Sequence, residues 1–304
     1  MADQWIRKAS LTIGLSNNDV LDVSELHFVF ETEAWTIETP KNLQCRLYNP
    51  APATIKKIID EGSNINLSAG YEGSFGTIFQ GTIVQVRSGR LNGTDTYIDL
   101  SSIDGDVVYN NAFVNATVSA GSTAIGRLKS IAQSAGFKLG DMPSDDTPPL
   151  PRGRVYFGAA RTHLRPLAAT LGANWNIING KVHVVPQNAY KKGDMPIFTA
   201  ATGMIGVPQQ TLEGIAIKVL LNPQVEAGIK VKIDNASIQQ FQADLGLGAE
   251  VNNEWIPPID KDGVYKVLYC THSGDTRGQE WYTDMVGISG DFTTSPAQIR
   301  YEKF

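Results

Sequence analysis

Apolar and polar residues alternate through many short runs of this chain, the two-residue period of a strand with one buried face. The run 26–32 leads into 34–38, and 43–48 alternates until Asn49 and Pro50, where proline cannot donate to a ladder. A helix is predicted next, with Thr54 as N-cap, Ile55, Ile58 and Ile59 on one face and Gly62 as the stop. Strands resume over 65–71, 79–86 and 96–100. The period then lengthens: Ile125, Leu128, Ile131, Ala132 and Ala135 recur at helical spacing as far as Gly136, and a second helix points Leu164, Leu167, Ala168 and Leu171 inward. Residues 175–178 and 181–185 flank Asn179-Gly180, the signature of a hairpin closed by a type I′ turn. Beyond Pro196 the two-residue period returns over 214–221, 229–233, 264–269 and 280–285. The pattern predicts a mainly β (α+β) chain: β units at 1–112 and 196–304, with a small α+β domain at 113–195 between them.

The outer thirds resemble each other. Residues 88–106 match 273–291 without a gap, with identities at Ser88/Ser273, Gly89/Gly274, Gly93/Gly278, Tyr97/Tyr282, Asp99/Asp284, Ile103/Ile288, Gly105/Gly290 and Asp106/Asp291. Average composition gives only about one or two identities over such a window. Leu47-Tyr48-Asn49-Pro50 recurs as Leu220-Leu221-Asn222-Pro223, again where a strand ends. A duplicated β unit explains both matches; the shared glycine and aromatic bias of β-hairpins is the competing explanation. Three copies of a duplicated chain present six similar units, so one ring can meet a six-fold tube and a three-fold spike within closed cyclic symmetry.

Composition narrows the function classes. The 304 residues include 29 glycines and 15 prolines, which fits many turns between short strands and disfavours an all-helical fold. Lys plus Arg number 26 against 31 acids, a net charge of -5, so stable nucleic-acid binding through a basic patch is not expected, whereas passage of DNA is. No leader segment or long apolar run stands out, which predicts synthesis in a cytoplasm without membrane insertion. Cys45 and Cys270 sit in separate strand-like runs without metal or disulfide spacing and read as core residues.

Further stretches carry a resemblance: residues 65–71 with 79–83, Leu221-Asn222-Pro223 with 228–235, and above all 263–269 followed by 272–278 and Trp281-Tyr282-Thr283. Through them the chain resembles the central baseplate hub proteins of contractile-tailed phages, similar in turn to the hub part of type VI secretion spikes. The resemblance implies two tube-like β-barrels per chain and a homotrimeric, pseudo-six-fold ring at the end of the tail. Its expected partners are a tail tube protein or tube initiator, a spike protein and baseplate wedge proteins, with the genome passing through. The chain stops at Phe304 without an added barrel or β-helix, so a separate spike is expected. Paired hairpins are the candidate assembly rims: Ser88, Gly89, Arg90, Asn92 and Gly93 in one, Ser273, Gly274, Asp275, Arg277 and Gly278 in the other. The loop 143–151 and the glycine-rich segment 241–259 are candidate partner-reaching insertions.

Enzymatic signatures are weak. His27, His163, His183 and His272 fall in separate segments, and no HExxH, GxSxG, P-loop or GxGxxG arrangement occurs. Asp141, Asp145 and Asp146 cluster in a proline-rich loop, a poor frame for two carboxylates at a fixed separation. Asp262, Asp275 and Asp284 lack EF-hand spacing. Trp35, Trp175, Trp255 and Trp281 are dispersed, which suits core and interface packing better than a sugar platform. No catalytic residue, metal or cofactor is expected; a cell-wall hydrolase or a carbohydrate-binding tail protein are the competing classes.

Overall fold

The computed structural model describes residues 6–16, 18–91, 93–144, 147–211, 213–239, 259–260 and 262–289. The expected mainly β class is what folds. Among these residues one sheet of 13 strands runs through both outer thirds; eleven follow the order Met204–Thr211, Gly214–Leu220, Trp281–Ser289, Val264–Asp275, Phe28–Trp35, Asn42–Tyr48, Thr96–Ile103, Ser74–Arg90, Gly62–Tyr71, Arg7–Leu15 and Val20–Asp22, and Ile197–Phe198 and Lys230–Ile233 lie off this path. Neighbours along this path are antiparallel. Lys230–Ile233 pairs with the start of Val264–Asp275.

Alternation decides which face is covered. In Phe28–Trp35 and Asn42–Tyr48, Phe28, Phe30, Leu43, Cys45 and Leu47 turn into one cluster with Leu11, Ile13, Ile65, Leu67, Phe79, Ile98 and Leu100. A second cluster fills the middle region around Val114, Leu128, Leu164, Trp175 and Val184. A third gathers Ile217, Val219, Val231, Tyr265, Val267 and Met285 under the C-terminal strands. Trp281 and Leu221 come from the C-terminal third yet lie in the first cluster, while Ala34 of the N-terminal third lies in the third.

The first helix, Pro52–Glu61, corrects the Thr54 cap. It starts three residues earlier, with Ala51 as N-cap and no side-chain bond, because Pro52 supplies the fixed φ and missing donor that suit a first turn. Ile58 is buried and Ile55 packs against the core, whereas Ile59 is exposed, so the inward stripe is narrower than the spacing suggested. Gly62 ends this helix, and a Cβ there would sit 2.5 Å from the Ile58 carbonyl oxygen. In the middle region, Thr123 caps Ala124–Ala135 by accepting from the Gly126 N–H, and Gly136 ends it at φ 74°. Ala160–Thr170 buries Leu164, Leu167 and Ala168 as expected. The hairpin Ala173–Ile178 and Lys181–Pro186 turns through Asn179 at φ 53° and Gly180 at φ 70°. Asp104, buried at the end of the N-terminal sheet, accepts from the Asn179 and Gly180 N–H groups and ties this hairpin to it.

Candidate assembly interface

The two hairpins singled out by the sequence are the same structure. In the first, Ile83 faces Ser102 and Gln85 faces Ser101, which leaves Val84 as the extra residue of a bulge. In the second, Val267 faces Gly287 and Tyr269 faces Val286, which leaves Leu268 in the same place. From there the ladders run in step, Val86↔Leu100 like Cys270↔Met285 and Arg90↔Thr96 like Gly274↔Trp281. Neighbouring strands follow: Asn64↔Thr82 corresponds to Lys230↔Lys266, and Arg46↔Asp99 to Lys218↔Asp284. A shared bulge and a shared strand order do not come from glycine and aromatic bias.

The alignment itself needs one correction. It holds without change on the returning strand, where Tyr97, Asp99 and Ile103 superpose in register on Tyr282, Asp284 and Ile288. On the outgoing strand it slips by one, so Ser88 corresponds to His272 and Gly89 to Ser273, and the second loop is one residue longer. The Asn-Pro match slips likewise, since Tyr48 faces Tyr97 and Leu220 faces Tyr282. A gap-free comparison has no way to see an inserted loop residue.

The repeated Tyr-x-Asp has a physical task. Residues two apart share one face of a strand, and in each copy they grip a cation from the next strand. Arg46 donates from Nε and Nη2 to the Asp99 carboxylate at 2.6 and 2.8 Å, with its guanidinium carbon 4.4 Å from the Tyr97 ring centre. Lys218 lies 3.5 Å from the Asp284 carboxylate and 4.6 Å from the Tyr282 ring centre. The Asp99 bond raises the Arg46 pKa further.

Equal folds sit in unequal surroundings. The outer edge of Val264–Asp275 pairs with Phe28–Trp35, from Tyr269↔Trp35 to Asp275↔Val29. Gly274 is buried there, and a Cβ on it would lie 2.5 Å from the Phe30 ring. Asp275 accepts from His27 at 2.8 Å and from the Arg277 and Gly278 N–H groups; burial raises its carboxyl, and these bonds outweigh that and hold it low. Arg7 donates to the carbonyls of Gly278 and Gln279, both at 2.9 Å. Ser273 is half-buried, and Arg277 and Gly278 are exposed. In the N-terminal copy, Ser88, Arg90 and Gly93 are exposed and Gly89 is half-buried against Tyr97; Asn92 lies outside the described residues. Most of 241–259 and Asp145 and Asp146 of the 143–151 loop lie outside them too.

The titratable groups are built into the frame. His272 is fully buried; its Nε2–H donates to the Val225 carbonyl at 3.1 Å, and its Nδ1 accepts from the Thr283 hydroxyl at 2.8 Å. Thr283 in turn accepts from the Asn222 N–H. Burial pushes the His272 pKa down to about 3, so the ring is neutral. His183 accepts at Nδ1 from the Asp141 N–H at 3.0 Å, and burial, then Lys191, lowers it. Cys45 and Cys270 are buried, which raises both thiols, Cys270 to about 11. Among the described residues no group of three His, Cys, Asp or Glu could hold a metal, and no helix is long and apolar enough to cross a membrane. Trp175 and Trp281 are core residues, Trp35 packs on Tyr269 with ring centres 4.0 Å apart, and Trp255 lies outside the described residues.

No family model matches the sequence, and no curated protein does. Solved structures do. The chain is similar to the 43 kDa tail protein of prophage MuSo2 from Shewanella oneidensis, with TM-score 0.59 and 9% identity over 94% of this chain and 97% of that one. It is similar to the tail protein from Neisseria meningitidis MC58, with TM-score 0.58 and 10% identity over 94% and 97%. It is also similar to the E. coli c3393 protein, a component of the type VI secretion system described as structurally similar to T4 tail proteins gp27 and gp5; there the TM-score is 0.55, with 12% identity over 86% and 73%. The fold is therefore one that phage tail proteins and a type VI secretion component share, which agrees with the hub-like resemblance of the sequence.

Proposed function

We propose that this protein is a structural, non-enzymatic subunit of a phage tail baseplate hub, located in the virion. Three copies form a ring in which residues 1–112 and 196–304 supply six similar tube-like barrels and residues 113–195 form a separate unit between them. The ring joins the tail tube, or its initiator, to a spike, meets baseplate wedge proteins at its flanks and lets the genome pass. One observation carries this reading: a sheet unit duplicated down to the position of its bulge, in a chain with the fold of tail proteins. Two quasi-equivalent units per chain are what a three-fold assembly needs to meet a six-fold one. The net charge of -5 disfavours retention of a passing polyanion.

Light scattering and particle imaging of the purified chain, alone and with a spike protein of the same phage, test the proposal. A species of three times the 33.0 kDa chain mass, with near six-fold projections, is the expected result. A chain that stays monomeric in both samples refutes it, and murein hydrolysis or glycan binding by that monomer would establish a rival class.

A further inference from the structure

Charge is divided unevenly along this chain. Residues 113–195 hold 10 Lys and Arg against 4 Asp and Glu, a net charge of +6, so the rest of the chain carries -11. Within that basic stretch one sheet face is bare. Phe113–Val118 and Arg154–Ala159 pair antiparallel as a two-stranded sheet. Val114, Val118 and Tyr156 turn into the middle core, so the alternation sends Phe113, Asn115, Val155 and Phe157 the other way. Phe113 is 52% exposed, Val155 64% and Phe157 68%. The register puts Phe157 opposite Asn115 and Ala159 opposite Phe113, so the two phenyl rings are diagonal neighbours; they meet edge-on with centres 4.9 Å apart, and Val155 continues the ridge. Arg152 and Arg154 stand exposed at the Val155 end. Arg161 stands exposed at the Phe113 end, where its Nη1 donates to Asn110 Oδ1 at 3.4 Å.

We propose that this ridge adsorbs to an anionic lipid surface, with Phe113, Val155 and Phe157 entering the headgroup boundary and the flanking arginines meeting lipid phosphates. The protein lies on that surface and does not span it. Magnitude decides between partners. A stable protein partner covers about 800 Å² on each side, far more than three side chains supply, whereas peripheral membrane binding needs only a modest apolar insertion joined to positive charge. A single-stranded nucleic acid asks for ring faces on which bases stack; here the edge of one ring covers the face of the other, and the third apolar group is a valine. The net charge of -5 does not oppose the contact, because the Debye length is about 8 Å at physiological ionic strength and acids beyond it are screened. The inference needs only this face and stands apart from the ring reading.

The test is co-sedimentation of the full chain with vesicles of phosphatidylcholine, alone or mixed in equal parts with phosphatidylglycerol. Binding to the mixed vesicles is expected to be at least about 10-fold tighter than to the neutral ones and to weaken as salt rises. Phe157→Ser should weaken it about 10-fold, and Arg152→Gln combined with Arg161→Gln about 30-fold. All three side chains are exposed, so the circular dichroism spectrum and the mass by light scattering should stay those of the parent. Absence of binding, equal binding to both vesicles, or binding that Phe157→Ser leaves unchanged overturns the proposal. Two other results overturn it by reassigning the face: a labelled single-stranded oligonucleotide held more tightly than the vesicles and released by the same substitutions, or an oligomer that Phe157→Ser dissociates, which would place a second copy on the ridge. A monomer that binds the mixed vesicles in the expected pattern supports this inference while removing the ring.

Discussion

Trp281 is the sharpest point at which to test how the two copies are held together. It begins a strand of the C-terminal copy, yet it is 1% exposed and lies in the N-terminal core, edge-on to Phe30 at 5.5 Å between ring centres. Its Nε1–H donates to the Gly70 carbonyl at 3.2 Å. Alanine here removes about 150–250 Å² of buried aromatic surface, or about 4–6 kcal/mol at about 25 cal/mol per Å². Truncations of buried tryptophan cost about 3–5 kcal/mol, so we expect about 4 kcal/mol for Trp281→Ala. Trp281→Phe keeps most of the apolar contact and loses the bond to Gly70, at about 1–2 kcal/mol. Urea unfolding followed by far-ultraviolet circular dichroism gives both values, because the method does not depend on the deleted fluorophore. Hydrogen exchange then locates the damage: protection should fall in Gly62–Tyr71 and Phe28–Trp35 as well as around residue 281. An alanine variant within about 1 kcal/mol of the parent, or a loss of protection confined to the C-terminal strands, refutes the role assigned to this side chain.

Three further outcomes follow from the same geometry. His272 has a folded pKa of about 3 against about 6.5 unfolded; the unfolded chain binds the extra proton, so stability should fall as pH drops below about 6.5, by at most about 1.4 kcal/mol per unit. His183, also lowered by burial, and Asp104, raised by it, titrate with the same or opposite sign nearby, so urea midpoints between about pH 6.5 and 4.5 are compared between the parent and His272→Asn; a pH profile that the substitution leaves unchanged contradicts the effect. Asp104→Ala leaves the Asn179 and Gly180 N–H groups without their acceptor and should cost about 2–3 kcal/mol, with faster exchange at those two amides; unchanged exchange would show that the carboxylate does not hold the hairpin. Gly274→Ala drives a Cβ into Phe30 and should cost about 1–3 kcal/mol, whereas Gly93→Ala, with open space around it, should stay within about 0.5 kcal/mol; equal effects in thermal melts would place the junction elsewhere.

Signals that were local in sequence were readable there. Asn179-Gly180, Gly136 and the alternation of Asn42–Tyr48 each fix their own backbone, and the structure follows them. Tyr-x-Asp was visible as a repeat, but its purpose needed the partner strand, because Arg46 lies 53 residues from Asp99. Arg7–Leu15 gives only a weak signal: Leu11, Ile13 and Leu15 alternate and are buried, but a charged start and small intervening residues dilute the period. What makes that segment a strand is its ladder with Gly62–Tyr71. Nor could side chains announce the pairing of Phe28–Trp35 with Val264–Asp275, since it is made by backbone groups that every sequence possesses.

The divergence of the two copies carries the remaining information. At matched positions on the outgoing strand, the C-terminal copy has Thr271, His272 and Gly274, all buried, and the N-terminal copy has Arg87, Ser88 and Arg90, all exposed. Each C-terminal residue suits a covered edge: Gly274 lets Phe30 approach, and His272 is neutral and fully bonded inside. The N-terminal residues suit an edge that must stay in water while the chain is alone, because charge on an exposed edge discourages unselective pairing. Yet the protection is partial. No proline or inward-facing charge blocks residues 85–90, and each of Val86, Ser88 and Arg90 keeps its N–H. An edge built to remain bare would abolish its donors; this one keeps them behind the exposed Arg87 and Arg90.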